Sequence, residues 1–140
     1  LAQELGPGFT ATDGALVATL VGIAADSPSP PCTPAPAPGT PCSLALVWRA
    51  ESETPISYHV FVHLVDEAAN LLAQSDAVPA GWTRPTTGWL PGEYIVDVHT
   101  LTLPADIPPG PLTFRVGLYD PDTGKRLQAN GADAALITLP

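Results

Sequence analysis

Residues 89–127 constrain the fold of this chain more than any other stretch. They hold two runs rich in Val, Ile, Leu, Thr and aromatic residues, at 93–103 and 112–119. A Pro/Gly corner at 104–111 separates the runs, and a tight turn at 120–125, Asp-Pro-Asp-Thr-Gly-Lys, closes them. Apolar β-formers bounded by Pro, Gly and Asp clusters are the punctuation of antiparallel strands. The chain's 18 prolines in 140 residues carry the rule further, because proline lacks the amide that a helix interior or a central strand must donate. No stretch of helical length keeps a 3.6-residue period without interruption. A hydrophobic fraction of 45% is nevertheless that of a folded protein, so the prolines belong to loops and edges. The expected fold is all-β: one two-sheet antiparallel sandwich of seven to eight short strands with Greek-key connections.

The expected strands are 15–24, 43–50, 56–66, 70–75, 93–103, 112–119, 126–129 and 134–139. Side chains alternate across a strand, so Leu44, Leu46 and Trp48 share one face, with Trp48 inside, while Ala45, Val47 and Arg49 share the other. In the next strand Tyr58, Val60, Val62 and Leu64 oppose His59, Phe61 and His63, with Val60 inside. Leu112, Phe114, Val116 and Leu118 read as inward, Arg115 and Tyr119 as outward. The run 93–103 is ambiguous, because Tyr94, Val96 and Val98 on one face and Ile95, Leu101 and Leu103 on the other are all apolar.

A net charge of −9 with five Lys and Arg argues against a grip on nucleic acid or on anionic lipid. The apolar run 15–25 is too short to span a bilayer and has no basic flank, so neither membrane insertion nor an uncleaved signal is expected. Residues 27–41 hold seven prolines and read as an extended surface loop whose Ser and Thr residues resemble O-glycosylated stalks. Cys32 and Cys42, the two cysteines of the chain, bracket this loop's second half. With no His or Cys nearby to complete a metal site they are expected to form a disulfide across a Pro-rich loop at 27–42, which implies an oxidising compartment outside the cell or at its surface.

The order L-V-W-R-A (46–50), Y-H-V-F-V-H-L-V-D (58–66), T-R-P-T-T-G-W-L-P-G-E (83–93), L-P-A-D-I-P-P-G (103–110) and V-G-L-Y-D-P-D-T-G-K-R-L (116–127) resembles an immunoglobulin-like β-sandwich module. That module is often found as the C-terminal extracytoplasmic domain of bacterial membrane glycosyltransferase-like and other cell-surface proteins. The resemblance covers residues 15–140 and implies the fold; it brings no catalytic residue and no cofactor. The Cys32–Cys42 insert departs from it.

Four constellations are candidates for function. His59 and His63 would sit about 13 Å apart on a strand at ~3.3 Å per residue, too far to hold one metal ion, and no metal is expected. Asp120-x-Asp122-x-Gly124 lacks the further acids of a calcium loop and reads as a turn. Trp82 and Trp89, in the long loop 76–92, together with Tyr119 form a candidate sugar platform, the alternative being that the loop tryptophans pin the connection. Arg49, His59, Phe61 and His63 form a candidate interaction face, since a Phe on an outward stripe is expected to be covered by a loop, a neighbour or a ligand. Finally, residues 1–13 read as a tail ahead of a single sandwich at 14–140. Leu1, Leu5, Phe9 and Ala11 make that tail apolar and Gly6-Pro7-Gly8 hinges it. Such a segment can act as a donor strand on the next copy, propagating head-to-tail into a filament, or fold back on its own edge.

No nucleophile elbow, phosphate loop or ordered Ser/His/Asp set appears, and a non-enzymatic chain is expected. The sequence favours a structural or assembly subunit of the cell exterior, partnered by copies of itself or by surface components. The alternative is a carbohydrate-binding accessory module.

Overall fold

The computed structural model describes residues 1–28 and 30–139. Among these, ten strands form two antiparallel sheets: β1 (Gln3–Glu4), β2 (Gly8–Thr10), β3 (Leu16–Ile23), β4 (Pro41–Ala50), β5 (His59–Val65), β6 (Leu71–Ala77), β7 (Tyr94–Thr102), β8 (Thr113–Tyr119), β9 (Gln128–Ala129) and β10 (Ala135–Thr138). The first sheet runs β7-β4-β3-β2-β9 with β1 also on β3; the second runs β10-β8-β5-β6. After β5 and β6 have formed in the opposite sheet, β7 returns to lie beside β4, which is the Greek-key connection. All eight expected strands are present, each end within three residues of its expected place.

The core lies between the sheets. Leu44, Leu46 and Trp48 of β4, Val60, Val62 and Leu64 of β5, and Phe114, Val116 and Leu118 of β8 are all fully buried. Their two-residue period is what faces a core in an antiparallel sheet. Facing in β7 is set by an unexpected rule, since its inward positions are Ile95, Asp97, His99 and Leu101 while Tyr94, Val96 and Val98 point to solvent.

The opening segment is not a tail. β1 and β2 run along β3 with the break at Gly6-Pro7, and β2 also pairs with β9 through Phe9 and Thr10. Phe9 is fully buried and meets Trp48 edge-on, ring centroids 5.6 Å apart, while Leu5 and Ala11 pack on the core and Leu1 stays exposed. The apolar letters of 1–13 are explained by this chain's own sheet, and the boundary expected at 13/14 has no counterpart in the packing.

Cys32 and Cys42 are disulfide-bonded, with Cα atoms 4.9 Å apart, and both are buried. The Pro-rich segment does more than loop over the surface. It runs beside the first residues of β4, where the Pro30 carbonyl accepts from Ser43 N–H and Cys32 N–H donates to Ser43 O, so the missing amide of Pro31 is skipped. Ser29, one of the Ser residues expected to resemble a glycosylated stalk, and Pro140 lie outside the described residues.

Candidate functional site

The loops 11–15, 51–58, 78–93 and 120–134 gather at one end of the sandwich, and loop 78–93 is the most tightly specified. Its first part is a turn closed by Trp82 N–H to Val78 O (3.0 Å) and Arg84 N–H to Pro79 O (3.0 Å). Ala80, Gly81 and Trp82 are successively left-handed, with φ of 57°, 61° and 72°. A non-glycine residue there loses roughly 1–2 kcal/mol to the clash of Cβ with the following carbonyl, so the surroundings must impose the turn. Two hydrogen bonds meet at its first residue: Thr83 Oγ1 donates to Ala80 O at 2.6 Å, and Ala80 N–H donates to Asp97 Oδ1 at 2.8 Å. The product is a Trp82 that is 62% exposed.

Trp82 stands edge-on to His59, centroids 5.2 Å apart at 84°, and His59 stands edge-on to Tyr119 at 5.5 Å. The Tyr119 hydroxyl lies 3.4 Å from His59 Nδ1. Burial, and then the Asp76 charge, raise the Tyr119 phenol above its ordinary value, so it remains a neutral hydroxyl. Trp82 and Tyr119 of the expected platform are thus joined, through a histidine the sequence assigned to another group.

Trp89 is not part of the platform. A single 3-10 turn, Thr86–Gly88, delivers it inward, where it is 2% exposed and its Nε1–H donates to Arg84 O at 2.9 Å. The buried Thr86 hydroxyl donates to Ile56 O (2.6 Å) and accepts from Tyr58 N–H (2.9 Å), locking this loop to its neighbour. Arg84 pairs with Glu93 at 2.6 Å, and that hydrogen bond, with one from Leu90 N–H, holds the Glu93 carboxyl below the usual range.

The expected interaction face divides in two. His59, Phe61 and His63 do share the outer face of the second sheet, and Phe61 is 1% exposed because the chain covers it: the Arg126 guanidinium lies 4.2 Å from the ring centroid. Phe61 also needs Gly117 on β8, where an added Cβ would fall 2.4 Å from the ring. His63 Nε2 is 3.6 Å from Asp76 Oδ1. Burial holds His63 below its ordinary imidazole range against the pull of Asp76, with Arg126 and Arg115 adding to the depression. Arg49 belongs elsewhere. It sits on β4 in the other sheet and pairs with Glu51 at 2.8 Å, because alternation fixes a face but not which of two sheets carries it.

Sequence reasoning missed Asp97, and it weighed His99 only as a cross-strand companion of His59 or His63 rather than as an inward, buried residue. Asp97 is fully buried, its Oδ2 accepting from Trp48 Nε1–H (3.2 Å) and bonded to His99 Nε2 (2.7 Å), while His99 Nδ1 lies 2.9 Å from Ser75 Oγ. The available signal was the D-x-H alternation in register with Ile95 and Leu101. A cleft of about 360 Å³ opens at the same end beside Asp13, Glu53, Tyr58 and Asp120, and burial pushes the Tyr58 phenol above its ordinary value. Among the described residues no three His, Cys, Asp or Glu side chains gather as metal ligands, and no helix is long and apolar enough to cross a membrane.

These features define an immunoglobulin-like β-sandwich with an internal disulfide and an aromatic surface at one loop end. No family model matches the chain, and no curated protein sequence matches it.

Proposed function

We propose that this chain is a non-enzymatic, extracytoplasmic sandwich module that binds a carbohydrate ring on Trp82, with His59 and Tyr119 at its rim. One observation carries the reading: a largely exposed tryptophan is held at the end of a run of left-handed residues, and although Ala80 in that run packs on the core, the strain at Trp82 itself is not repaid by burial. An indole face takes the apolar face of a sugar, and the Tyr119 hydroxyl, the His59 imidazole and the nearby Asp76 carboxylate supply hydrogen bonds to its hydroxyls. The acidic chain favours a neutral glycan over a uronate or sulfate. The Cys32–Cys42 disulfide supports an oxidising setting, and the module type of cell-surface proteins agrees with it. Screening immobilised neutral glycans, followed by calorimetry, tests the proposal. Saturable binding that Trp82→Ala weakens at least about tenfold without lowering Tm is expected; no saturable binding, or equal binding by Trp82→Ala, overturns it.

A second reading, self-assembly, is favoured by a different observation. Strand β7 is the edge of its sheet, and its outer side chains Tyr94, Val96 and Val98 are exposed. Another copy could add there by main-chain pairing. Incorporation of residues 1–13 into their own sheet removes the support for a tail-swapped filament. Asp97 and His99 point inward from the same edge strand, a pattern that discourages edge pairing, and this ranks assembly second.

A further inference from the structure

We infer that buried Asp97 is the positioning residue of the Trp82 surface, fixing through one hydrogen bond the left-handed turn that aims the indole outward. The inference rests on the reading of Trp82 as the binding surface. Asp97 occupies an inward position equivalent to those of Ile95 and Leu101 on β7, where packing alone asks for an aliphatic side chain. A buried carboxylate is costly unless its oxygens are hydrogen-bonded. Here they are: Oδ1 accepts Ala80 N–H, and Oδ2 accepts Trp48 Nε1–H and faces His99 Nε2. With Nε2 directed to Asp97, His99 Nδ1 lies within hydrogen-bond reach of the Ser75 hydroxyl, so both ring nitrogens have partners. Trp48 belongs to β4 and Ser75 to β6 of the opposite sheet, so the carboxylate is referenced to both layers.

The outward-facing oxygen reaches the first of the three left-handed residues, two positions before Trp82. Aspartate suits the position by chemistry. Two acceptor oxygens on a short stem meet donors from two directions, whereas an asparagine amide would turn an N–H toward a donor.

The test uses the full chain labelled with ¹⁵N. In the unmodified protein, amides 80–82 should show heteronuclear NOE values equal to those of β4 and β5. Asp97→Ala, which leaves Ala80 N–H without its acceptor, should speed their hydrogen exchange about tenfold or more relative to core amides, the loss of one buried hydrogen bond. Ser75→Ala, which spares the Ala80 bond, should change it less than about twofold. Fast internal motion at 80–82 in the unmodified chain overturns the inference, whether or not Asp97→Ala folds; so does Asp97→Ala with unchanged exchange there. An ordered turn that binds no glycan would sink the carbohydrate reading and leave the anchor standing. A mobile turn that binds glycan would do the reverse.

Discussion

Two halves of one loop hold a tryptophan each and use it in opposite ways. In residues 85–92 the chain turns Trp89 inward, satisfies its indole N–H on Arg84 O and leaves it 2% exposed. In residues 78–84 it adopts three left-handed residues in succession and leaves Trp82 62% exposed. Core burial explains the placing of Trp89 in the first half. In the second it accounts for Pro79 and Ala80 but not for Trp82, where strain and exposure both oppose stability and a buried carboxylate maintains them. Strained residues cluster at sites that meet a ligand, which is the role proposed for Trp82.

The sharpest way to break this contrast is to truncate each indole. Trp89→Ala should destabilise by about 3–5 kcal/mol, since it empties a core position, and urea unfolding will measure it. A loss below about 1 kcal/mol would mean that Trp89 is surface too. Gly117→Ala, which drives a methyl into Phe61, should cost about 1–3 kcal/mol and separate a covered aromatic from an exposed one. Trp82→Gly should leave stability unchanged or raise it by up to about 1 kcal/mol, because glycine relieves the left-handed strain, while glycan binding disappears.

How much of this was legible in the letters depends on range. Strand positions were, because Pro and Gly punctuation and the two-residue period are local, and the facing of β5 and β8 followed from the same pattern. The facing of β7 was not, since apolar residues occupy both of its faces and the buried choice falls on Asp97 and His99, whose partners Trp48 and Ser75 lie on other strands. Phe9 looked like apolar lettering in a tail because its pairing with Ala129 spans almost the whole chain. The two loop tryptophans were indistinguishable in sequence: their fates are set by a left-handed turn on one side and a 3-10 turn on the other.

Smaller effects probe the surroundings. His63, Glu51 and Glu93 all have folded pKa values below their ordinary ones, through burial for His63 and through hydrogen bonds from Arg49 and Arg84 for the glutamates. Each therefore contributes stability in full above its unfolded pKa and loses it as pH falls through the folded value. Thermal melts should show Tm declining in two stages, from about pH 6.5 and again from about pH 4.3 downward; a Tm that rises on acidification would contradict the assignment. Smallest of all, Val96→Lys on the exposed face of β7 should change stability by no more than about 0.5 kcal/mol. Sedimentation should show the same species before and after it if the loop end, not the sheet edge, is the working surface.

The three indole N–H resonances give the most direct test of the central claim, because Trp48, Trp82 and Trp89 report the core, the platform and the loop pin within one spectrum. Titration with the neutral glycan that scores highest in screening should move the Trp82 indole and the His59 and Tyr119 signals saturably, while those of Trp48 and Trp89 stay in place. Shifts distributed equally over all three indoles, or a Trp82 signal that stays still at saturating glycan, would contradict it.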